Sequence, residues 1–289
     1  MLVADQWRDY ELIDAGAGER LERWGKYILR RPDPQVIWPP KLSPDEWNRF
    51  HAHYHRSSSG GGKWEFRGRL PERWVVCYKE LAFYIKPMNF KHTGLFPEQA
   101  VNWEWFSAQI RSGSAPVKIL NLFAYTGGAT VAAASAGAEV CHVDAAKGMV
   151  AWAKENLQLS GMAERPVRFI VDDVLKFVQR EKRRGRRYEG IIMDPPSFGR
   201  GPGGEVWKIE DEIFNLVKEC LELLANRPRF FLINSYTTGL APTVLKNILS
   251  LTVLPKFGGI VSAGEVGIPV TASGIILPCG ASGRWEFKS

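Results

Sequence analysis

Short apolar runs alternate with amphipathic stretches from about Phe96 to Leu251. The runs of strand length are Val117–Phe123, Glu139–Asp144, Val167–Val171, Gly190–Asp194 and Phe230–Ser235. The stretches with helical spacing are Glu98–Arg111, Ala129–Ala136, Ala146–Leu159, Val174–Glu181, Ile209–Leu224 and Thr243–Leu251. This alternation predicts right-handed crossovers and a mainly parallel, doubly wound α/β sheet. Two further runs, Gly259–Gly264 and Gly274–Cys279, predict an antiparallel hairpin at one edge of that sheet.

Residues 1–90 differ in composition and in sequence pattern from the rest of the chain. Six of the eleven tryptophans fall by Trp74, and Pro- and Gly-rich segments interrupt every pattern. The β-like runs here are Tyr10–Asp14, Glu19–Trp24, Trp64–Arg67, Trp74–Tyr78 and Leu81–Ile85, with a flexible loop expected at Ser57–Gly62. We predict a small β-rich N-terminal domain over 1–90, a candidate for substrate binding, and a larger α/β domain over 91–289.

Composition bounds the class of protein. The hydrophobic share of 45% and the charged share of 24% are ordinary for a soluble globular protein. Lys and Arg outnumber Asp and Glu by 38 to 31, which favours a polyanionic partner without requiring one. Four widely spaced cysteines form neither a zinc nor a disulfide pattern, and the N-terminus has no signal-peptide pattern. We expect a cytoplasmic protein that does not enter a membrane, and the oligomeric state stays open.

Candidate chemistry follows the carboxyl ends of the predicted strands, where a doubly wound sheet binds its ligand. After the first strand, Gly127 and Gly128 let the backbone approach a ligand and start a helix whose N-terminus favours an anion. Asp144 ends the second strand, where an acid can accept both hydroxyls of a ribose. Asp173 follows the third, placed to hold an adenine amino group, and Asp194-Pro-Pro196 ends the fourth. Together these positions predict an adenosyl cofactor.

Structural alternatives exist for most of these residues. The glycine pair is also typical of a tight turn, and Asp144 of a helix N-cap. One of Asp172 and Asp173 is expected to be a cap or a solvated carboxylate. Two prolines after a buried strand are harder to explain structurally, because they remove two N–H donors. A nicotinamide-binding loop after the first strand would carry G-x-G-x-x-G, but this chain has Ala124-Tyr-Thr-Gly-Gly128 there. The Gly-Lys-Ser/Thr of a P-loop is absent from the sequence, which leaves S-adenosylmethionine.

Three segments carry a resemblance to a known family: Lys91–Gln99, Asn121–Gly127 and Met193–Phe198. With Asp144 and Asp173, they resemble the class I S-adenosylmethionine-dependent methyltransferases, which have a Rossmann-like fold. More narrowly, they resemble the bacterial 23S rRNA methyltransferases that modify cytosine C5 or guanine N7. The resemblance covers about residues 85–240. The family usually has an acid and arginines just after this first segment, and Pro97-Glu98-Gln99 and Asn102 depart from that pattern.

The resemblance implies roles for particular residues. Thr93, Gly94 and Phe96 would cap the cofactor, and Asn121 would lie near its amino group. Asp194 and the Pro195 carbonyl would line the space between sulfonium and acceptor. The implied cofactor-binding residues are Thr93, Gly94, Phe96, Asn121, Phe123, Ala124, Tyr125, Thr126, Gly127, Asp144, Ala145, Asp173, Val174 and Asp194.

The acceptor atom is inferred from a missing thiol. Cytosine C5 needs an enzyme thiolate, and the related C5 enzymes carry a cysteine after the fifth strand. Here that place is Asn234-Ser-Tyr236, and Cys279 is expected to be a bystander. We therefore predict methylation of a nitrogen of an rRNA base, with Asp194, Pro195 and Tyr236 as catalytic residues. A small-molecule methyltransferase and a non-catalytic RNA-binding protein with a relic cofactor pocket are the alternatives.

Two clusters remain outside this scheme. Lys182–Arg187 would either bind phosphates or form a solvated loop. His51, His53 and His55 alternate, so on a strand all three imidazoles would share one face. No acidic or cysteine partner is obvious for them, and we predict no metal site.

Overall fold

The computed structural model describes residues 1–57, 61–112, 116–200, 206–237 and 239–288. Part of the predicted loop at Ser57–Gly62, residues 58–60, lies outside these ranges. The strands are β1 (Leu2–Val3), β2 (Tyr10–Gly16), β3 (Glu19–Trp24), β4 (Tyr27–Pro32), β5 (Ala52–Arg56), β6 (Gly62–Phe66), β7 (Trp74–Tyr78), β8 (Leu81–Ile85), β9 (Lys118–Leu122), β10 (Glu139–Asp144), β11 (Val167–Val171), β12 (Gly190–Met193), β13 (Phe198–Arg200), β14 (Val206–Lys208), β15 (Phe230–Ser235), β16 (Ile260–Pro269) and β17 (Ile276–Glu286).

The helices account for the remaining regular structure in those ranges. They are α1 (Pro44–Trp47), α2 (Ala100–Arg111), α3 (Gly128–Ser135), α4 (Lys147–Leu159), α5 (Val174–Arg183), α6 (Ile209–Cys220) and α7 (Pro242–Phe257), with 3₁₀ turns at Pro97–Gln99 and Leu221–Leu223. The last helix continues six residues beyond the predicted end at Leu251, with Pro255 in its final turn. Within the described ranges, none of the helices combines the length and the apolar character needed to cross a membrane.

The chain forms two compact units. The larger unit comprises residues 1–2, 101–266 and 279–289, and the smaller unit comprises residues 3–100 and 267–278.

An eight-stranded sheet has the strand order β1-β16-β17-β15-β12-β9-β10-β11. The five strands β11, β10, β9, β12 and β15 run parallel, and β17 pairs antiparallel with β15. Their chain order across the sheet is 3-2-1-4-5, the doubly wound arrangement that the sequence predicts. The C-terminal pair β16 and β17 is longer than predicted, at 10 and 11 residues. The hairpin is also not the outermost element, because the short β1 lies outside β16.

Register brings the ends of the parallel strands to one edge. Leu122 lies opposite Met193 in β12 and Val143 in β10, and Met193 lies opposite Ile233 in β15. All six residues of β15 are buried, as parallel strands covered on both faces require. Apolar side chains of α5, α6 and α7 pack with one face of these strands in a single cluster. The core therefore fixes where each strand ends and the following loop begins.

The smaller unit is β-rich, as predicted. Its five-stranded sheet has the order β2-β3-β4-β5-β6, and β7 and β8 form a separate antiparallel pair. Trp24, Trp47 and Trp74 are buried there, so their role is core packing. The fully buried Glu22 accepts two hydrogen bonds from Arg31, at 2.6 and 2.7 Å, and one from the Tyr10 hydroxyl, at 2.8 Å. Burial raises the pKa of Glu22, but Arg31 and Arg20 outweigh burial, and its pKa is lowered overall.

Candidate active site

Five loops meet at the carboxyl edge of the parallel sheet in the larger unit. They follow β9, β10, β11, β12 and β15, whose registers place their ends side by side. The structure therefore brings together the predicted residues of segments 123–127, 144–145, 173–174 and 194–195 with Tyr236.

The loop after β9 has an unusual backbone. Phe123 and Tyr125 have φ of 54° and 50°, and Gly127 has φ of 83°, so every second residue is left-handed. Non-glycine residues in this region are strained and persist where their surroundings fix them, which is common in ligand-binding loops. Here the Tyr125 N–H donates to Asp144 Oδ2 at 2.8 Å, and Asn156 Nδ2 donates to the Thr126 carbonyl at 2.9 Å. The sequence indicated a close approach to a ligand or a tight turn at Gly127 and Gly128, but not the left-handed backbone at Phe123 and Tyr125.

Gly127 also meets its neighbours closely. A Cβ at this position would lie 2.7 Å from the Cβ of Ala153 in α4. Gly127 is the N-cap of α3 and provides no side chain to its N–H groups. The first turn of α3 thus keeps N–H donors that suit an anion.

Asp144 supports the same loop with both carboxylate oxygens. Oδ2 accepts from Tyr125 N and Oδ1 accepts from Ala146 N at 2.8 Å. The N-cap of α4 is Ala146, so the alternative that Asp144 caps this helix is wrong. Burial raises the pKa of Asp144, and the two N–H donors offset this only in part. Ala145, beside it, is exposed.

Asp173 is a helix cap, one of the alternatives open for the Asp172–Asp173 pair. Its Oδ1 accepts from Lys176 N at 3.0 Å at the start of α5. The cap uses one carboxylate oxygen and leaves the other outside the cap. Asp172 pairs with Arg180, and Val174 is buried.

Asn121 lies in the interior beneath the loop. Its Nδ2 donates to Thr130 Oγ1 at 2.9 Å, and Thr130 Oγ1 lies 2.9 Å from Nδ1 of the fully buried His142. Burial lowers the pKa of His142 to about 3, so the ring is neutral. Sequence reasoning missed Thr130 and His142, because neither belongs to a motif.

The Asp194-Pro-Pro-Ser197 segment is held from three sides. Asp194 N donates to the Leu122 carbonyl at 3.3 Å, and Trp207 Nε1 donates to the Pro196 carbonyl at 2.6 Å. Ser197 Oγ accepts from the Thr237 hydroxyl at 2.6 Å. The Trp207 ring, on β14, packs against Phe123 with centroids 5.1 Å apart. Sequence reasoning missed Trp207, which stands beyond a Gly-rich connection.

Tyr236 follows β15, and the described residues around it hold no thiol in the position typical of C5 methyltransferases. The Tyr236 ring packs over Gly280, where a Cβ would lie 3.0 Å from Tyr236 Cδ1. Asn234 is buried, and its Oδ1 accepts from Asn102 Nδ2 and Ser282 Oγ. Cys279 is half-buried.

Asn102, which departs from the family pattern, has a structural partner. Its Oδ1 accepts from Arg284 Nε at 2.9 Å and Nη2 at 2.6 Å. The guanidinium comes from β17, 182 residues away in sequence. Burial lowers the pKa of Arg284 to about 10. A network of buried hydrogen bonds thus connects α2, β15 and β17.

Thr93, Gly94 and Phe96 belong to the smaller unit. Thr93 is fully buried, and its Oγ1 has no hydrogen-bond partner in the part of the chain that the structure describes. Gly94 has φ of 97°, and Phe96 is extended at the start of the 3₁₀ turn. A buried hydroxyl without a partner is uncommon and is explained where a ligand completes it.

The histidine cluster has a different composition from the one predicted. His53 Nε2 lies 2.6 Å from Glu19 Oε1, and His55 Nε2 lies 2.8 Å from Glu65 Oε2. His51 precedes the strand and accepts from Ile28 N, so the prediction that it shares their face is wrong. Candidate ligand atoms of His53, His55 and Glu65 lie within 4.8 Å of one another. Arg30 and Arg67 pair with the two carboxylates, which balances the charge of the cluster.

Comparison with known proteins identifies the family. Residues 28–227 match the S-adenosylmethionine-dependent methyltransferases, and the chain belongs to this family. A crystal structure of a SAM-dependent methyltransferase from Agrobacterium tumefaciens superposes with a TM-score of 0.94 and 38% identity, over 99% of this chain and 93% of that one. The resemblance seen in the motifs is thereby confirmed, and S-adenosylmethionine is the cofactor of the family.

Two relatives carry more specific names. Ribosomal RNA large subunit methyltransferase K of Neisseria meningitidis is 28% identical over 210 residues, 72% of this chain. Ribosomal RNA large subunit methyltransferase K/L of Methylococcus capsulatus is 31% identical over 236 residues, 77% of this chain. The matched region spans 56% of the first protein and 30% of the second.

The residues at the carboxyl edge fit this cofactor. The first turn of α3 has no side-chain cap, and the backbone at Gly127 has no room for a side chain, so the N–H groups there can bind a carboxylate. The half-buried Asp144 can accept hydrogen bonds from a ribose. In the smaller unit, the Thr93 hydroxyl, which has no hydrogen-bond partner among the described residues, also suits a polar ligand.

Proposed function

We propose that the protein transfers a methyl group from S-adenosylmethionine to a nitrogen of an RNA base, in the RNA of the large ribosomal subunit. The observation that carries the proposal is the meeting of the left-handed loop 123–127, Asp144 and Asp194-Pro-Pro196 at one edge of the sheet. The names of the Neisseria and Methylococcus relatives support the choice of substrate. The basic charge of the chain, +7, agrees with a polyanionic partner.

The cofactor roles follow the chemistry of each group. The first turn of α3, with Thr126 and Gly127, receives the carboxylate of the methionine part. Asp144 accepts the ribose hydroxyls, and the oxygen of Asp173 outside the cap accepts from the adenine amino group. Phe123, Ala124, Tyr125, Ala145 and Val174 shape the surrounding wall, with Asn121 beneath it.

Catalysis in this proposal is a matter of alignment. The cofactor supplies a methyl group that its positively charged sulfur already activates. The protein therefore has to hold donor and acceptor in line and exclude water. Positive charge decreases toward the transition state, so a strong hold on the cation would slow the reaction. Carbonyls such as that of Pro195 suit this requirement better than a cluster of carboxylates.

A nitrogen acceptor is favoured by the residues that end and follow β15. A ring or exocyclic nitrogen attacks without a covalent intermediate, whereas cytosine C5 needs a thiolate at C6. The position after β15 has Tyr236, and Asn234 is engaged with Asn102. Asp194 accepts a hydrogen bond from the base nitrogen and takes its proton late, and Tyr236 contacts the base.

The smaller unit is proposed to contribute to binding of the RNA. Exposed Arg and aromatic side chains are typical of surfaces that bind unpaired bases. Because the proposed substrate is ribosomal RNA, the proposal also places the protein in the cytoplasm.

The test is transfer of tritium from labelled S-adenosylmethionine to ribosomal RNA from a strain that lacks the gene, followed by nucleoside identification. We expect one labelled N-methylated nucleoside from large-subunit RNA with the wild type and none with Asp194→Asn. The control Asp211→Asn removes an exposed acid on α6 and should keep full transfer. Label only in small molecules, or no label despite bound cofactor, would contradict the proposal.

A further inference from the structure

The basic run Lys182–Arg187 is divided by a helix end. Gly185 has φ of 64°, its N–H donates to the Lys182 carbonyl at 3.0 Å, and Arg186 N donates to the Glu181 carbonyl at 3.1 Å. This pair of bonds is a Schellman motif, which needs a left-handed residue just past the helix. Lys182, Arg183 and Arg184 therefore belong to the end of α5, whereas Arg186 and Arg187 lie on the segment that leads into β12.

Arg186 and Arg187 line a cavity of about 670 Å³ at the amino ends of β9, β10 and β11. Arg168 adds a third guanidinium to its rim. The lining also includes the buried side chains of Val140, Cys141 and Tyr188, which we call the apolar floor of the cavity. The volume lies in the range typical of ligand sites, and the combination of guanidinium groups with an apolar floor suits a phosphate attached to a flat ring.

The charges on this segment are unevenly paired. Lys182 pairs with Glu219 at 2.6 Å, and Arg184 pairs with the buried Glu181 at 3.3 Å. Arg186 and Arg187 are exposed, and neither forms an ion pair within the ranges that the structure describes. Glu139 and Glu189 also line the cavity, and Glu189 Oε2 accepts from Lys118 N at 2.6 Å. The rim therefore presents two guanidinium groups with no carboxylate bound to them.

The backbone that presents them is fixed. Tyr188 N donates to the Leu223 carbonyl at 2.8 Å, and the Tyr188 hydroxyl donates to Glu181 Oε2 at 2.6 Å. Burial raises the pKa of Tyr188, which keeps the hydroxyl protonated as a donor. Residues on either side of the two arginines are thus held in place, so little order would have to be gained on binding.

We propose that this cavity binds a phosphate of a single-stranded segment of the RNA substrate, with Arg186 and Arg187 on the phosphate and the adjoining nucleotide over the apolar floor. The inference rests on the proposed function, because it takes RNA as the substrate. The cavity lies at the edge of the sheet opposite the active site. The five residues of β9 separate the two edges by about 17 Å. The RNA is therefore held at a second point, away from the base that reacts.

Fluorescence anisotropy with a labelled oligouridylate, over a series of KCl concentrations, tests the proposal. Arg186→Gln/Arg187→Gln should weaken binding and reduce the slope of log K against log salt by about 0.7, the contribution of one phosphate contact on a single strand. The matched control is Arg183→Gln, an exposed arginine of the same run that forms no ion pair among the described residues and does not line the cavity. It should leave affinity and slope unchanged.

Two results would overturn the proposal: an unchanged slope in the double variant, or an equal loss in Arg183→Gln, which would indicate the general charge of the run. Calorimetric titration with S-adenosylhomocysteine and thermal melting should show the wild-type values in all variants. Failure of the proposed function would look different. The wild type would then transfer no methyl group to RNA, while the difference between the double variant and its control persisted.

Discussion

Gly127 meets two requirements at once, a left-handed backbone and contact with α4. Its φ is 83°, and an added Cβ would lie 2.7 Å from Ala153. Phe123 and Tyr125 also have a left-handed backbone, which is strained because they carry side chains. The hydrogen bonds of this loop with Asp144 and Asn156 offset the strain. The shape of the loop therefore depends on a few side chains of its neighbours.

Gly127→Ala should disturb the loop and weaken cofactor binding by at least tenfold, because a carboxylate at the start of α3 needs N–H groups in a fixed position. Titration calorimetry with S-adenosylhomocysteine measures the effect. Gly137→Ala is the control, since Gly137 has φ of 99° but meets nothing within 4 Å. It should lose stability without losing affinity. Equal affinity losses in both variants would contradict the role given to Gly127.

Asp144 should make cofactor binding sensitive to acid. Burial raises its pKa above the ordinary 3.8, so the carboxylate is protonated at a higher pH than an exposed aspartate would be. A protonated acid is a poorer acceptor for the ribose hydroxyls. Affinity for S-adenosylhomocysteine should therefore fall as pH falls through this raised pKa. Asp144→Asn should bind weakly at neutral pH and lack this acid step, and a variant with the same pH profile as the wild type would exclude the proposed role.

Several of these residue-scale features were not predictable from the sequence. The Asp144 position follows from its place at the end of an apolar run, which a pattern can identify. The strain at Phe123 and Tyr125 and the Asn121–Thr130–His142 chain depend on side chains from three elements. No local pattern indicates where those elements come together.

At the scale of elements, Asp173 shows how one side chain can have two roles. It caps α5 through Oδ1, as Asp at an N-cap does, and the other carboxylate oxygen does not take part in the cap. A structural role and a cofactor role are therefore compatible, and substitution can separate them.

Asp173→Asn should keep the cap and the stability, because Asn and Asp are similar N-caps, while weakening cofactor binding. Asp173→Ala should lose both, with about 1 kcal/mol of stability lost. Urea unfolding and calorimetric titration give the two quantities. If the Asn variant binds S-adenosylhomocysteine as well as the wild type, Asp173 is a cap alone.

Elements were the most predictable level of the structure. β10, β11 and β15 have the predicted bounds. β15 is buried along its whole length, as a central parallel strand covered on both faces requires, whereas β11 at the edge of the sheet is only partly buried. The 3₁₀ turn before α2 and the position of β1 outside β16 were not predictable. The role of Trp207 was not predictable either, because its contact with Pro196 depends on how β13 and β14 pair.

At the scale of the whole molecule, the strand order explains why separate motifs form one site. Segments from residue 121 to residue 237 meet because their strands are neighbours and run parallel. The fold class was predictable from the alternation of apolar runs and amphipathic stretches alone. The hydrogen-bond partners of Asn102 were not predictable in this way. Its bond to Arg284 spans 182 positions and closes only when β17 joins the sheet beside β15.

The same arrangement gives the two edges of the parallel sheet different properties. The carboxyl edge has the strained loop and the acids, and the amino edge has the cavity rimmed by Arg186 and Arg187. A substrate long enough to reach both edges would be bound at two points, as the proposed RNA substrate would be.

A crystal structure of the protein grown with S-adenosylhomocysteine would show whether the carboxyl edge of the sheet is the cofactor site. We expect the ligand at this edge, with its ribose on Asp144, its carboxylate at the first turn of α3 and its sulfur facing Asp194. Ligand bound elsewhere, or an edge closed by side chains with the ligand absent, would contradict the account.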